Sequence, residues 1–247
     1  MSLDVALDII GTLRMMKIDE ISNEADENRK KLLQKELSVL NTEEKIANGL
    51  LQFEVSENVR LSVMDKIQNY YAPKLKAYYA TLWSGSHLWT KKDGLFEDIN
   101  ISSQKPIAII LGGQPACGKS TLINVAKKDH PNLDFLTVNG DLYRQFHPNK
   151  ELIKDPIKYP IETQIFSSVF TEKLIEEAIK RQCNIIIEGT MRNPDVPLKT
   201  AQKFKDAGFM VEAYIIAAPK EFTQLGLYNR YQEEVLSKGQ GRLADID

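Results

Sequence analysis

The sequence predicts an α/β fold, in which a parallel sheet carries helices on both faces, preceded by a small all-helical bundle. From Pro106 onward, short apolar runs alternate with segments of helical periodicity, a pattern typical of buried parallel strands joined by helices. Before residue 84, apolar residues recur instead at helical spacing. We therefore expect three parts: a helical bundle over residues 1–84, a linker over 85–103 and an α/β domain over 104–247.

The first part is expected to contain three or so helices. Two segments, "ALDIIGTLRMM" and "NRKKLLQKELSVL", place four apolar side chains each near one helix face: Leu7, Ile10, Leu13 and Met16, then Leu32, Leu33, Leu37 and Leu40. Asn41 and Glu44 have capping-box spacing, which predicts a new helix start at Asn41. A last long helix is expected to begin after Ser56, its N-cap, and to kink at Pro73.

Four apolar runs predict the strands of the α/β part, and each is followed by a helical or loop segment. The runs are "PIAIILGG", "FLTVNGD", "NIIIEGT" and "MVEAYIIAA". Gly113, Asp141 and Glu188 come directly after three of them. Ligands of open parallel sheets bind beyond the carboxyl ends of the strands. The sequence therefore predicts that these three residues meet at one binding site.

Composition excludes several classes of function. The chain has 247 residues, 43% of them hydrophobic and 27% charged, and its formal charge of −2 gives no electrostatic case for binding nucleic acid. No apolar run approaches the roughly 20 residues of a membrane helix, and the acidic start does not fit a signal peptide. The two cysteines, Cys117 and Cys183, have no metal-ligand spacing. We expect a cytoplasmic protein with neither a nucleic-acid nor a membrane partner.

The stretch "LGGQPACGKST" satisfies the phosphate-loop pattern GxxxxGK[ST] between a predicted strand and a predicted helix. In such loops backbone NH groups and the helix N-terminus surround the phosphates, the lysine neutralises β- and γ-oxygens, and the serine ligates Mg²⁺. The pattern predicts a P-loop kinase-like fold that binds ATP and Mg²⁺, with Ser120 as the metal ligand. The candidate nucleotide-binding residues are Gly113, Gln114, Pro115, Ala116, Cys117, Gly118, Lys119, Ser120 and Thr121.

Two other interpretations of this region are weaker. Cys117 inside the loop suggests redox chemistry, because a helix N-terminus lowers a thiol pKa, but a small tolerated side chain is the simpler interpretation. "TKKD", residues 90–93, fits a guanine-reading pattern. It precedes the phosphate loop, whereas GTPases carry that pattern well after it. The sequence therefore favours ATP over GTP.

Phosphoryl transfer to a hydroxyl needs a carboxylate that accepts the proton and cations that stabilise the transferred group. Asp141 in "VNGDLYRQFHP" and Glu188 in "IIIEGTMR" are the two carboxylates at predicted strand ends. Either could instead cap the following helix. Because both acids lie on the phosphate-loop side of one sheet, we favour a role in the reaction.

The motifs "GGQPACGKST", "GDLYRQFHP", "IIEGTMRNPDVP", "LGLYNRY" and "GR" occur over roughly residues 104–243 in an order that resembles the zeta toxin family of bacterial toxin–antitoxin systems. The resemblance implies a kinase that uses ATP and Mg²⁺ to phosphorylate the 3′-hydroxyl of the amino sugar in UDP-N-acetylglucosamine, which blocks cell-wall synthesis.

The same resemblance implies roles for individual residues. Lys119 and Ser120 would hold ATP and Mg²⁺, and Asp141 would be the base on the sugar hydroxyl. The substrate-binding residues would be Glu188, Thr190, Arg192 and Arg144, while Arg230 and Arg242 would bind phosphates and stabilise the transition state. His147 belongs to the shared motif and would pack or hydrogen-bond in its loop.

The sequence departs from the family pattern at three places. "QPAC" replaces a smaller, often glycine-containing loop interior, and Asn139 stands where relatives often have Asp. The second change would weaken the outer shell of the metal, although Asn still accepts a hydrogen bond. The sequence also ends at Asp247, before the further helices and strand usual in the family.

The helical bundle has two candidate roles. Zeta toxins are restrained by a separate three-helix antitoxin, so a fused bundle suggests an intramolecular restraint over the nucleotide site. The alternative is an oligomerisation or folding module. For the whole chain, two further interpretations stay open: a kinase for another metabolite or an antibiotic, and a non-catalytic ATP-dependent switch.

Overall fold

The structure is a computed structural model, and it describes residues 3–84, 95–96, 99, 105–148, 158–191 and 193–238. The chain divides into two compact units, Met1–Thr81 and Leu82–Asp247. The linker expected over residues 85–103 lies mostly outside the described residues. None of the helices in the described ranges has the length and hydrophobicity that a transmembrane span requires.

The first unit is helical, as predicted. Its elements are α1 (Leu3–Asn23), α2 (Glu27–Gln52), α3 (Glu57–Lys66), a π-helical turn (Ile67–Tyr71) and α4 (Ala72–Ser84), which runs on into the second unit. Apolar side chains from each long helix are buried together, among them Ile9, Ile10, Leu33, Leu40, Ala47, Leu75 and Tyr79. Asp26 caps α2, since its side chain accepts a hydrogen bond from the backbone N–H of Arg29.

The predicted helix start at Asn41 is wrong, because α2 continues unbroken from Glu27 to Gln52. The spacing of Asn41 and Glu44 places both side chains on one face of α2. There they accept hydrogen bonds from Arg14 of α1, whose Nε lies 2.7 Å from Oδ1 of Asn41 and whose NH1 donates to Oε2 of Glu44. The pattern that resembled a cap is therefore an interhelical clamp.

Ser56 precedes α3 in the N-cap position, as predicted, although its side chain makes no cap hydrogen bond. The irregularity expected at Pro73 takes the form of the π-helical turn just before it. The backbone N–H of Ala72 donates to the carbonyl of Ile67, five residues earlier. Proline removes a backbone donor and crowds the preceding helical turn, and a widened turn accommodates this.

The second unit is built on a four-stranded parallel sheet, which confirms the predicted α/β class. The strands are β1 (Ile107–Gly113), β2 (Leu136–Asn139), β3 (Ile185–Glu188) and β4 (Met210–Ile216), in the spatial order β2-β3-β1-β4. Residues 107–112 of β1 are buried on both faces of the sheet. One face packs against Leu122, Ile123 and Ala126 of the following helix.

Helices connect and cover these strands. They are α5 (Lys119–Asp129), a 3-10 helix (Gly140–Phe146), α6 (Lys158–Glu162), α7 (Gln164–Arg181), α8 (Asp195–Asp206) and α9 (Lys220–Lys238). One face of α7 is buried and carries Phe166, Phe170 and Leu174. Because the sheet is parallel, the carboxyl ends of β1, β2 and β3 lie side by side. Gly113, Asn139 and Glu188 therefore share one edge.

Candidate functional site

The phosphate loop joins the end of β1 to the start of α5. Gly118, the N-cap residue of α5, has a φ of +89°, in the left-handed region that glycine tolerates. Gly113 has a φ of +155°, and a Cβ there would lie 2.7 Å from the carbonyl oxygen of Ile216 and from Sγ of Cys117. Both glycines are therefore required by the shape of the loop, as the sequence pattern predicts.

Lys119 is held inside the loop. The residue is only 8% exposed, and its Nζ donates to the carbonyl oxygens of Gly113 at 3.0 Å and Gln114 at 2.7 Å. These two bonds place the ammonium group at the centre of the loop. Ser120 is exposed in the first turn of α5, where its hydroxyl is accessible.

Cys117 is buried within the loop and directed at Gly113. Its backbone N–H donates to the carbonyl of Gln114, which closes the turn. Burial of the thiol favours the interpretation of a small packing side chain over that of a redox group.

Asn139, at the end of β2, hydrogen-bonds to both acidic residues predicted at the site. Its Nδ2 donates to Oε2 of Glu188 at 2.8 Å, and its Oδ1 accepts a hydrogen bond from the backbone N–H of Asp141 at 2.9 Å. Asn139 and Glu188 are register partners on neighbouring strands. The structure thus brings Glu188 and the start of the 3-10 helix that carries Asp141 together through one amide group.

Arg144 fixes the Asp141 side chain. Its Nε donates to Oδ1 of Asp141 at 2.9 Å, and its other nitrogens donate to the carbonyl of Pro160, to Thr163 and to Gln164. Arg144 is 7% exposed. A buried guanidinium with four protein acceptors favours a role in positioning Asp141 over direct contact with a substrate.

Two more residues of the same motif are buried behind Asp141. Burial raises the pKa of Tyr143 to about 12, although a hydrogen bond with the Asn139 backbone acts in the opposite direction. Burial lowers the pKa of His147 to about 4, and its ring packs edge-on against Phe166 at 5.3 Å. His147 therefore packs against α7.

The segment after Glu188 lies next to the phosphate loop. The backbone N–H of Gly189 donates to the carbonyl of Leu111 on β1, and Thr190 is exposed. Met191 has a φ of +55° and covers Gly112, since its Sδ would lie 2.2 Å from a Cβ at that glycine. Arg192, the last residue of the predicted substrate group, lies outside the described residues.

Helix α9 contacts the phosphate loop through a glycine. A Cβ on Gly226 would lie 3.0 Å from the carbonyl oxygen of Ala116 and 3.1 Å from its Cβ. Arg230 follows one turn later on α9 and is half-buried. This contact ties the position of Arg230 to the loop. Arg242 lies outside the described residues.

Comparison with known proteins identifies this arrangement. A family model described as Zeta toxin matches residues 92–246, more than half of the chain. The chain belongs to the zeta toxin family.

Named members of this family are similar over their matched parts. The Toxin PezT of Streptococcus pneumoniae serotype 4 is 35% identical over 137 residues, which cover 53% of each chain. The Toxin zeta of Enterococcus hirae is 33% identical over 134 residues, 52% of this chain and 46% of that protein. The chain spans about half the length of these curated zeta toxins.

A solved structure from the PezAT chromosomal toxin–antitoxin system of Streptococcus pneumoniae has the same fold as the matched part of this chain. It superposes with a TM-score of 0.55 at 31% identity, covering 61% of this chain and 62% of that one.

Among the described residues, no three His, Cys, Asp or Glu side chains are arranged to hold a metal ion. This finding concerns sites built by protein side chains alone, whereas Mg²⁺ at a nucleotide takes most of its ligands from phosphates and water. The exposed hydroxyl of Ser120 beside the helix N-terminus fits that kind of ligation.

Three features of this zeta toxin site are absent from the sequence-based prediction: the amide of Asn139 as a donor to Glu188, the cover of Gly112 by Met191, and the contact of Gly226 with Ala116. One of them carries a signal in the sequence. Gly226 lies inside a helix, where glycine is less stable than alanine by roughly 0.5–1 kcal/mol, so a close approach could have been suspected.

Proposed function

We propose that this member of the zeta toxin family transfers the γ-phosphoryl group of ATP to the 3′-hydroxyl of the amino sugar in UDP-N-acetylglucosamine. The observation that carries the proposal is that Asn139 hydrogen-bonds both Glu188, at the end of β3, and the backbone of Asp141, just beyond β2, beside the phosphate loop. A nucleotide switch needs only the loop, whereas a kinase also needs a base and an acceptor site.

The donor side of the reaction uses the loop itself. Backbone NH groups of the loop, to which Pro115 contributes none, and the N-terminus of α5 would surround the phosphates of ATP. Lys119 would exchange its bonds to the Gly113 and Gln114 carbonyls for the β- and γ-oxygens. Ser120 would ligate Mg²⁺, which neutralises charge on the transferred group.

The acceptor side uses the two strand ends. Asp141, oriented by Arg144, would take the proton from the sugar hydroxyl while the hydroxyl oxygen attacks the γ-phosphorus and ADP leaves. Glu188, Thr190 and Arg192 would position the UDP-sugar. Arg230 and Arg242 would stabilise the negative charge on the transferred phosphoryl group, which is the usual task of arginine in this chemistry.

A panel of UDP-sugars, incubated with the full chain and Mg-ATP, tests the proposal. A phosphorylated UDP-N-acetylglucosamine is expected from the wild type, with Asp141→Asn reduced by at least about 10²-fold, the usual effect of losing a general base. Asp206→Asn, in an exposed carboxylate of α8, is the matched control and should retain activity. If only ADP and phosphate appear, and Asp141→Ala changes nothing, the kinase proposal fails in favour of the switch.

We further propose that the N-terminal helices restrain the kinase in the same chain, and that the protein acts in the cytoplasm as a toxin. The relatives PezT and zeta are named toxins, and the solved relative belongs to a toxin–antitoxin system. The fused helical unit is a compact body of its own, which is what a restraint in cis requires.

Two experiments test the restraint. A chain starting near Lys91 should be more active than the full chain, and equal activity rejects restraint in cis. In the intact chain, Arg14→Ala removes the clamp on Asn41 and Glu44 and should also raise activity, because it loosens the bundle. Arg29→Ala, which removes only an exposed ion pair with Glu24 at the turn before α2, is the control.

A further inference from the structure

Asn139 uses both ends of its side-chain amide within the site. The NH₂ group donates to Oε2 of Glu188, while the carbonyl oxygen accepts from the backbone N–H of Asp141. An amide carries its donor and its acceptor on two separate atoms of one short side chain, and it keeps both at every pH. An aspartate could still accept from Asp141, but its ionised form could not donate to Glu188.

We propose that Asn139 is a positioning residue, which orients the Glu188 carboxylate and couples it to the backbone of Asp141. The inference rests on the proposed function, in which Glu188 and Asp141 face the acceptor sugar. It also reverses the expectation that asparagine weakens the site, because an aspartate would bring a further negative charge against Glu188.

Among the hydrogen bonds of the described residues, the one from Asn139 orients the Glu188 carboxylate. Asp141 is paired with Arg144, and Lys119 donates to the carbonyls of its own loop. Tyr143 is buried and hydrogen-bonds to the Asn139 backbone. Within the described part of the site, none of these side chains forms a hydrogen bond with Glu188, whereas Asn139 does.

Thermal unfolding of the full chain at several pH values tests the contact without any substrate. Asn139→Asp should lower Tm most at neutral pH, and the difference from wild type should shrink as pH falls, because two facing carboxylates come to share a proton. In the double variant Asn139→Asp with Glu188→Gln, the amide at position 188 donates to the carboxylate at position 139, so the hydrogen bond is kept with its direction reversed. This double variant should show the pH dependence of the wild type, whereas an unchanged pH dependence in Asn139→Asp itself rejects the proposal.

Kinetics test the consequence for the reaction. Asn139→Ala should raise the KM for UDP-N-acetylglucosamine by about tenfold, the equivalent of one lost hydrogen bond. In Asn139→Asp, the acid limb of the plot of kcat/KM against pH should also shift to higher pH, by about one pH unit. If either variant keeps the wild-type KM and pH profile, Asn139 does not position Glu188.

The two proposals fail in different ways. If the wild type phosphorylates no UDP-sugar, the proposed function is wrong, while the unfolding series still decides whether Asn139 orients Glu188. If the wild type is active and Asn139→Asp behaves as wild type in both assays, the kinase proposal stands and the role of Asn139 is rejected.

Discussion

Nε of Arg144 lies 2.9 Å from Oδ1 of Asp141, and this buried guanidinium reaches three further protein acceptors around residues 160–164. Through Arg144, the candidate base Asp141 is connected to α6 and to the start of α7. The orientation of Asp141 is therefore set by the interior of the domain.

Arg144→Lys should impair both stability and catalysis. Lysine keeps the charge but lacks the planar fork that reaches four acceptors, so some buried partners lose their donor. We expect a loss of about 1–3 kcal/mol in the free energy of unfolding, measured with urea, and a lower kcat with little change in the KM for ATP. Arg181→Lys is the control, because its Nε also bonds a carboxylate at 2.9 Å but in a half-exposed pair on α7. Equal effects of the two changes would contradict a special role for Arg144.

Lys119→Met should abolish phosphoryl transfer while leaving the fold intact. The ammonium group stabilises charge that develops on the transferred group, and losing one such donor lowers kcat by about 10²-fold or more. Initial rates and circular dichroism measure the two effects. Lys128→Met, at the far end of the same helix, should stay close to wild type. Retained activity in Lys119→Met would remove the phosphate loop from the mechanism.

Gly226→Ala should weaken ATP binding even though alanine favours helices. The added Cβ would lie 3.0 Å from the carbonyl oxygen of Ala116, so α9 or the loop must shift. Gly49→Ala, in the interior of α2 with nothing within 4 Å, is the matched control and should stabilise its helix by roughly 0.5–1 kcal/mol. Calorimetric titration of ATP measures the first effect and thermal unfolding the second. If ATP affinity is unchanged in Gly226→Ala, the contact does not shape the loop.

The buried His147 should make the protein less stable in mild acid. Its pKa is lowered by burial from 6.5 to about 4, so the unfolded chain binds a proton that the folded chain excludes. The contribution of the neutral His147 to the free energy of unfolding is fully present above pH 6.5. It is lost as the pH falls from 6.5 to about 4, and the loss is on the order of 2–3 kcal/mol. His147→Gln should show a shallower decline over that window in urea unfolding, with a curve parallel to wild type above neutral pH. Identical slopes throughout would contradict the burial of a neutral imidazole.

The sequence predicts much of this structure because its strongest signals are local. Continuous apolar runs predict all four strands, and the glycines of the phosphate loop predict its turn. Asp141 and Glu188 were expected at one edge because each follows such a run. The roles assigned to these residues and to Arg230 remain predictions.

Other features depend on contacts between distant segments, which a single sequence does not encode. The capping-box spacing at Asn41 has two physical meanings, a helix start or a pair of acceptors on one face, and only the position of Arg14 decides between them. In the same way, Asn139 could be assigned only as an acceptor until the neighbouring strand brought Glu188 within 2.8 Å.

The register of β1 and β3 has a consequence for how such an enzyme can diversify. Leu111 pairs with Glu188, and the ladder continues to Gly189. The phosphate loop after β1 and the proposed acceptor segment after β3 therefore extend from two hydrogen-bonded strands, and the strand pairing fixes the distance between their starting points. If Thr190 contacts the acceptor as proposed, changes at this exposed residue would alter which acceptor is chosen without disturbing the donor side. Donor and acceptor specificity would then evolve as separate modules on a shared scaffold.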